Sequence, residues 1–122
     1  MHAHRTLRQE RDMMATRIGI IRCDAHSENC AGFNCFPALR EKTGQFERYE
    51  EVELVGFDTC GGCGCGKQDK VILRAQRLKE KGANVIHFGT CLAGTCPFEE
   101  TYVQAIQDKV GISVVRGTHP RR

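Results

Sequence analysis

No stretch of this chain comes near the roughly 20 consecutive apolar residues that a membrane-spanning helix needs, and its first residues, MHAHRTLRQERDMMAT, hold no continuous apolar segment of the secretory kind. A soluble, cytoplasmic protein is expected, without a membrane partner. The net charge of +3 is modest and owes much to the two ends, with four arginines among the first 17 residues and His-Pro-Arg-Arg at the last. No basic helix face interleaved with aromatics appears, which argues against nucleic acid as a partner. Low-complexity segments, internal repeats and an interdomain linker are also missing, and 122 residues are about one domain.

Cysteine is abundant where these features are scarce. Eight occur in 122 residues, and in a reducing compartment clustered cysteines bind metal or do redox chemistry more often than they form disulfides. A domain of this length buries enough apolar surface to fold without a structural metal, so the thiols point to function. Their centre is Cys60-Gly61-Gly62-Cys63-Gly64-Cys65-Gly66-Lys67. Glycine reaches backbone angles closed to other residues and leaves room for an ion or cluster between thiols.

From Arg17 onward a short β-branched run, a loop and an amphipathic stretch alternate. Strands are expected at 17–23, 51–58, 84–90 and 112–117, the first, third and fourth reading as runs covered on both faces. Helices are expected at about 34–43, at 67–82 with Val71, Ile72, Ala75 and Leu78 on one face, and at 97–110. The last begins with Pro97, lines up Phe98, Tyr102, Val103, Ile106 and Val110, and closes at Gly111. This spacing predicts an α/β fold: one three-layer domain on a four-stranded parallel sheet, in flavodoxin-like order 2-1-3-4. Residues 1–16 read as a disordered or extension arm and 17–119 as the domain. The His2-x-His4 pair on that arm reads as incidental.

In an open parallel sheet the loops leaving the C-terminal edge build the ligand site. Cys23, Cys30 and Cys35 follow the first strand, Cys60, Cys63 and Cys65 the second, Cys91 and Cys96 the third, and His119 the fourth. All eight cysteines are candidate cofactor-binding residues, with Cys35, Cys60, Cys63, Cys91, Cys96 and His119 the candidate metal ligands. Cys23 is equally suited to packing, His26 to a solvated loop, and His87 within strand three to a covered, hydrogen-bonded position. Arg22 and Lys67 flank the thiol loops and suit a negatively charged centre.

Soft thiolates select zinc, cuprous copper or iron-sulfur clusters. One Cys-x-x-Cys-x-Cys loop flanked by two Cys-x4-Cys pairs differs from the paired knuckles of zinc ribbons, and an iron-sulfur cluster fits better, with zinc the alternative. Electron transfer or redox sensing with a redox protein partner would follow. The enzymatic alternative is a thiol-disulfide oxidoreductase using Cys60 and Cys63, since a Cys-x-x-Cys at a helix start has a lowered thiol pKa. Gly61 to Lys67 has P-loop spacing, but Gln68 stands where magnesium needs Ser or Thr. No cysteine is followed, after five residues, by the arginine of a phosphatase loop. No reaction follows from these residues, and enzymatic activity stays open.

The ordered set IIRCD at 20–24, Cys30 with Gly32 to Cys35, LVGFDTCGGC at 54–63, GANVIHFGTC at 82–91, CPF at 96–98 and GTH at 117–119 resembles the CGGC domain family. The resemblance spans 17–119 and implies metal binding through cysteines and histidines. Family members usually continue from the central motif into proline and glycine, whereas Gly64 and Cys65 stand here.

Overall fold

The computed structural model describes residues 15–25, 30–61, 68–93 and 96–119. Strand β1 (Thr16–Arg22) leads to helix α1 (Cys35–Glu41), a 3-10 helix (Gly44–Arg48), β2 (Val52–Thr59), α2 (Gln68–Glu80), β3 (Val85–Phe88), α3 (Glu99–Lys109) and β4 (Ser113–Arg116). The strands form one parallel sheet in the order β2-β1-β3-β4. The α/β class and the strand order are those expected. Among the described residues no helix is long and apolar enough to cross a membrane.

Side chains that alternate along a strand divide the core into two layers. Ile21, Ile86 and Phe88 face α2 and α3, where Val71, Ala75, Leu78, Tyr102, Val103 and Ile106 cover them. Ile18, Ile20 and Val85 face the other way, onto Ala38 of α1 and Phe46 of the 3-10 helix. The close seat of α2 depends on two glycines. A Cβ at Gly19 or Gly56 would meet Leu78 at 2.7 or 2.5 Å. These glycines pair with each other just after a register shift at Ile18/Gly19 that leaves Val55 as the extra residue of a bulge.

Three details depart from the sequence-based expectation. β4 is not covered on both faces, because it is an edge strand, exposed or half-buried along its length. Helix α3 begins at Glu99, directly after the turn residues Pro97 and Phe98, with Glu99 and Glu100 in its first turn at the positive end of the helix dipole. Finally, β1 takes in Thr16, the last residue of the expected arm. The chain past Gly44, for which the sequence suggests no element, forms the 3-10 helix, which turns Phe46 into the core at 0% exposure.

Candidate functional site

The strand ends bring three loops together. After β1, the carbonyl of Arg22 accepts the N–H of Cys60 at 2.9 Å, while the carbonyl of Ile21 accepts that of Gly89, also at 2.9 Å. The ladder thereby continues past the last paired residues and sets Cys23 between the chain entering the second loop and the chain entering the third. The next two amides of the first loop point at sulfur. Cys23 N–H donates to Cys91 Sγ at 3.4 Å, and Asp24 N–H donates to Cys60 Sγ at 3.4 Å. Gly89 leaves room for this arrangement, since a Cβ there would stand 3.1 Å from Arg22 Cβ and 3.3 Å from Cys91 Sγ.

Side chains brace the same edge. Thr59 donates its hydroxyl to Asp24 Oδ1 at 2.8 Å and accepts the N–H of Gly61 at 3.2 Å. Gly61 holds φ +88°, a region that favours glycine. Asp58 accepts the N–H of Thr59 at 2.7 Å and pairs with Arg74 at 3.3 Å, tying the strand end to α2. Arg22 lies over the Phe57 ring at 4.6 Å and donates to the carbonyl of Cys30.

Cys35 occupies the first turn of α1, 4% exposed, with its sulfur 3.1 Å from Thr118 Oγ1. Thr118 Oγ1 accepts the N–H of Thr90, so its own hydroxyl is available to donate to the sulfur. Thr90 returns the contact by accepting the N–H of Thr118 at 3.2 Å and donating to the carbonyl of His119 at 2.6 Å. These threonines were missed in the sequence, although Gly89-Thr90 and Gly117-Thr118 stand at equivalent places after β3 and β4.

Burial pushes the Cys35 thiol up; Thr118 pulls against it, the charges of Cys91 and Cys30 push it further, and Arg22 opposes them. The Cys91 thiol is also pushed up by burial, partly offset by the N–H of Cys23 and reinforced by the charges of Cys23 and Cys30. Thiols of two loops therefore lie within electrostatic reach of one another. Cys35 and Cys91 both resist ionising next to charged thiols.

Six of the candidates, Cys23, Cys30, Cys35, Cys60, Cys91 and Cys96, are present as thiols. Cys60 is 2% exposed and Cys23 8%, so burial does not separate the two; the amide donor on the Cys60 sulfur distinguishes its surroundings. Cys96 packs against the core layer under α2 and α3, and its carbonyl accepts the N–H of Glu99 at 3.2 Å. His119 follows β4, and its carbonyl accepts the Thr90 hydroxyl at 2.6 Å. Cys63, Cys65, Lys67, His26, His2 and His4 lie outside the described residues. Among the described residues no three His, Cys, Asp or Glu side chains form a group able to hold a metal ion.

His87 has the covered position expected of it. At 0% exposure, it can donate Nδ1–H only to the Gly117 carbonyl, 3.0 Å away, which leaves Nε2 to accept the Tyr49 hydroxyl at 2.6 Å. Burial lowers its pKa to about 4.

Fold and site together define a small α/β domain that gathers thiols at the C-terminal edge of a parallel sheet. The CGGC domain matches residues 17–119. A relative in Methanocaldococcus jannaschii, an uncharacterized protein, is 38% identical over 113 residues, which cover 84% of this chain and 86% of the relative. The chain belongs to the CGGC domain family. No solved structure matches it. Family membership and the eight cysteines fit a metal-binding role.

Proposed function

We propose that this protein binds an iron-sulfur cluster through thiolates at the C-terminal edge of its sheet and serves in electron transfer or redox sensing with a redox protein partner. The observation that carries the reading is the pair of backbone N–H groups of Cys23 and Asp24 aimed at the sulfurs of Cys91 and Cys60. Amides directed at sulfur stabilise the thiolate and tune a bound cluster's potential.

The donor chemistry fits such a group. Cys35 and Cys91 are both pushed up by burial and by the charges of neighbouring thiols, so ionising them is costly, and a cation among them removes that cost. Cys60 and Cys91 are the proposed anchors, with Cys35, Cys63 and Cys96 as further ligands and the remaining thiols and His119 in reserve. When bound, the cluster supplies a one-electron couple. The chain's own residues fix sulfur position through the strand-end amides. Arg22, which lowers the Cys35 thiol, supplies positive charge beside the site.

Protein purified without oxygen tests the proposal by metal analysis and an absorption spectrum. Brown protein with comparable iron and acid-labile sulfide is expected. Colourless protein with about one zinc per chain would replace the cluster by a zinc module. Metal-free protein that cycles Cys60 and Cys63 by a two-electron couple would make it a thiol-disulfide oxidoreductase.

A further inference from the structure

A cleft opens beside the thiol edge, between the 3-10 helix and the chain segments that follow β3 and β4. Its volume is about 300 Å³, and Gln45, Thr90, Arg116, Gly117 and His119 line it together with Gly44 and Ala93. That volume is at the small end of ligand pockets, which run from roughly 300 to 1,000 Å³. We propose that this cleft binds a small oxyanion, the phosphate or carboxylate group of a metabolite-sized molecule, through Arg116, His119 and Gln45.

Charge is the first reason. The lining side chains include a guanidinium and an imidazole and, among the described residues, no carboxylate. The nearest acid paired with Arg116 is Glu99, with Oε1 3.8 Å from Nη1, beyond hydrogen-bonding distance. A guanidinium has five N–H donors in a planar fork, and this pairing leaves them for a bidentate oxyanion.

Preorganisation is the second. Gln45 is fixed at both ends: its N–H donates to the Thr118 carbonyl at 2.9 Å, and its Oε1 accepts Arg48 Nη2 at 2.5 Å. With the amide oxygen engaged, the amide nitrogen is the group with donors to offer. Thr90 holds the backbone of His119 by its carbonyl, so the residue bearing the imidazole is anchored rather than loose. Gly117, at φ +115°, keeps the floor open; a Cβ there would stand 3.2 Å from Gln45 Cγ and 3.9 Å from Thr90 Oγ1.

Position is the third. Thr90 lines the cleft and directly precedes Cys91, and its partner Thr118 holds the sulfur of Cys35. A molecule anchored at Arg116 would therefore lie against the side chains that support the thiol edge. The oxyanion site stands on charge and shape alone, so it does not require the metal reading to be right.

Equilibrium dialysis of the full chain, as purified, against labelled inorganic phosphate and labelled acetate tests this, with sodium chloride at matched ionic strength as the control. About one anion per chain with half-saturation near ~1 mM is expected, and Arg116→Gln and His119→Gln should each weaken it, the former by about tenfold or more. Preference for phosphate or for acetate identifies the group recognised, and either supports the site. Uptake abolished by chloride, or unchanged in both variants, or absent up to ~20 mM anion overturns the proposal. Because His119 is also a candidate metal ligand, metal content is measured in every dialysed sample. Uptake lost in Arg116→Gln at unchanged metal content supports the cleft, uptake that follows the metal content and ignores Arg116→Gln overturns it, and iron and sulfide analysis decides the cluster reading separately.

Discussion

His87 and Cys91 belong to one stretch of chain, β3 and the turn after it, yet they meet opposite surroundings. The imidazole uses both ring nitrogens, on the Gly117 carbonyl and the Tyr49 hydroxyl, and has the Phe46 ring at 4.8 Å. It is a finished structure: a polar group buried with its partners, as the folded state requires. The Cys91 sulfur accepts the Cys23 amide at 3.4 Å and lies near enough to the thiols of the first loop for their charges to raise its pKa. One residue is held among neutral hydrogen-bond partners, and the other, a proposed metal anchor, among groups that would share its charge.

The largest effect expected from this contrast is on metal content. Replacing a thiolate by a serine oxygen exchanges a soft ligand for a hard one. Loss of an outer contact to a metal ligand already costs about 10- to 100-fold in affinity, so Cys60→Ser and Cys91→Ser should each weaken metal binding by more than about a hundredfold. His87→Gln should leave metal content near that of the parent protein. Metal analysis of the three variants, purified identically without oxygen, checks this. If the histidine variant folds but loses its metal while either serine variant keeps it, the contrast is reversed.

The second effect is on stability against pH. The His87 pKa falls from 6.5 to about 4 on folding, so between those values the unfolded chain binds more protons than the folded one. Stability from this group is complete above about pH 6.5 and is lost as the pH falls through the folded value, by about 3 kcal/mol in all. Denaturant unfolding of metal-free protein at a series of pH values measures it. His87→Gln should remove that component and leave the background titration of the carboxylates. An unchanged acid profile in the variant would show that the imidazole is not the group responsible.

The same contrast explains what could be read in the sequence. Parallel strands and the loops that carry thiols follow from apolar runs, helical spacing and the rule that strand ends converge; the strand order, which the structure bears out, comes from the flavodoxin-like assignment and not from any residue pattern. Phe46 was not legible as core, because it stands alone among polar residues after Gly44 and only the far side of the sheet gives it a place. Val55 looked like an ordinary strand residue, since a bulge depends on how the partner strand is registered. The convergence of Cys23, Cys60 and Cys91 was legible, whereas the amides aimed at their sulfurs were not: a backbone N–H is present at every residue but proline, and only the fold decides where it points.

The smallest effect concerns the hydroxyl that serves both regions. Thr118 follows Gly117, whose carbonyl holds His87, and its side chain accepts the Thr90 N–H and reaches the Cys35 sulfur. Thr118→Val keeps the shape and removes the hydroxyl, so about 1 kcal/mol of hydrogen bonding should be lost, with somewhat more if the Thr90 amide finds no new partner. At Cys35 the sign is fixed by the present arrangement. Thr118 lowers that thiol against the push of burial, and its removal should send the pKa further up. The pH dependence of Cys35 alkylation in metal-free protein, followed residue by residue by mass spectrometry, reads it directly. A midpoint that moves upward with little change in metal content would assign Thr118 to supporting the thiol edge; a midpoint that stays or falls would show that the hydroxyl does not donate to the sulfur.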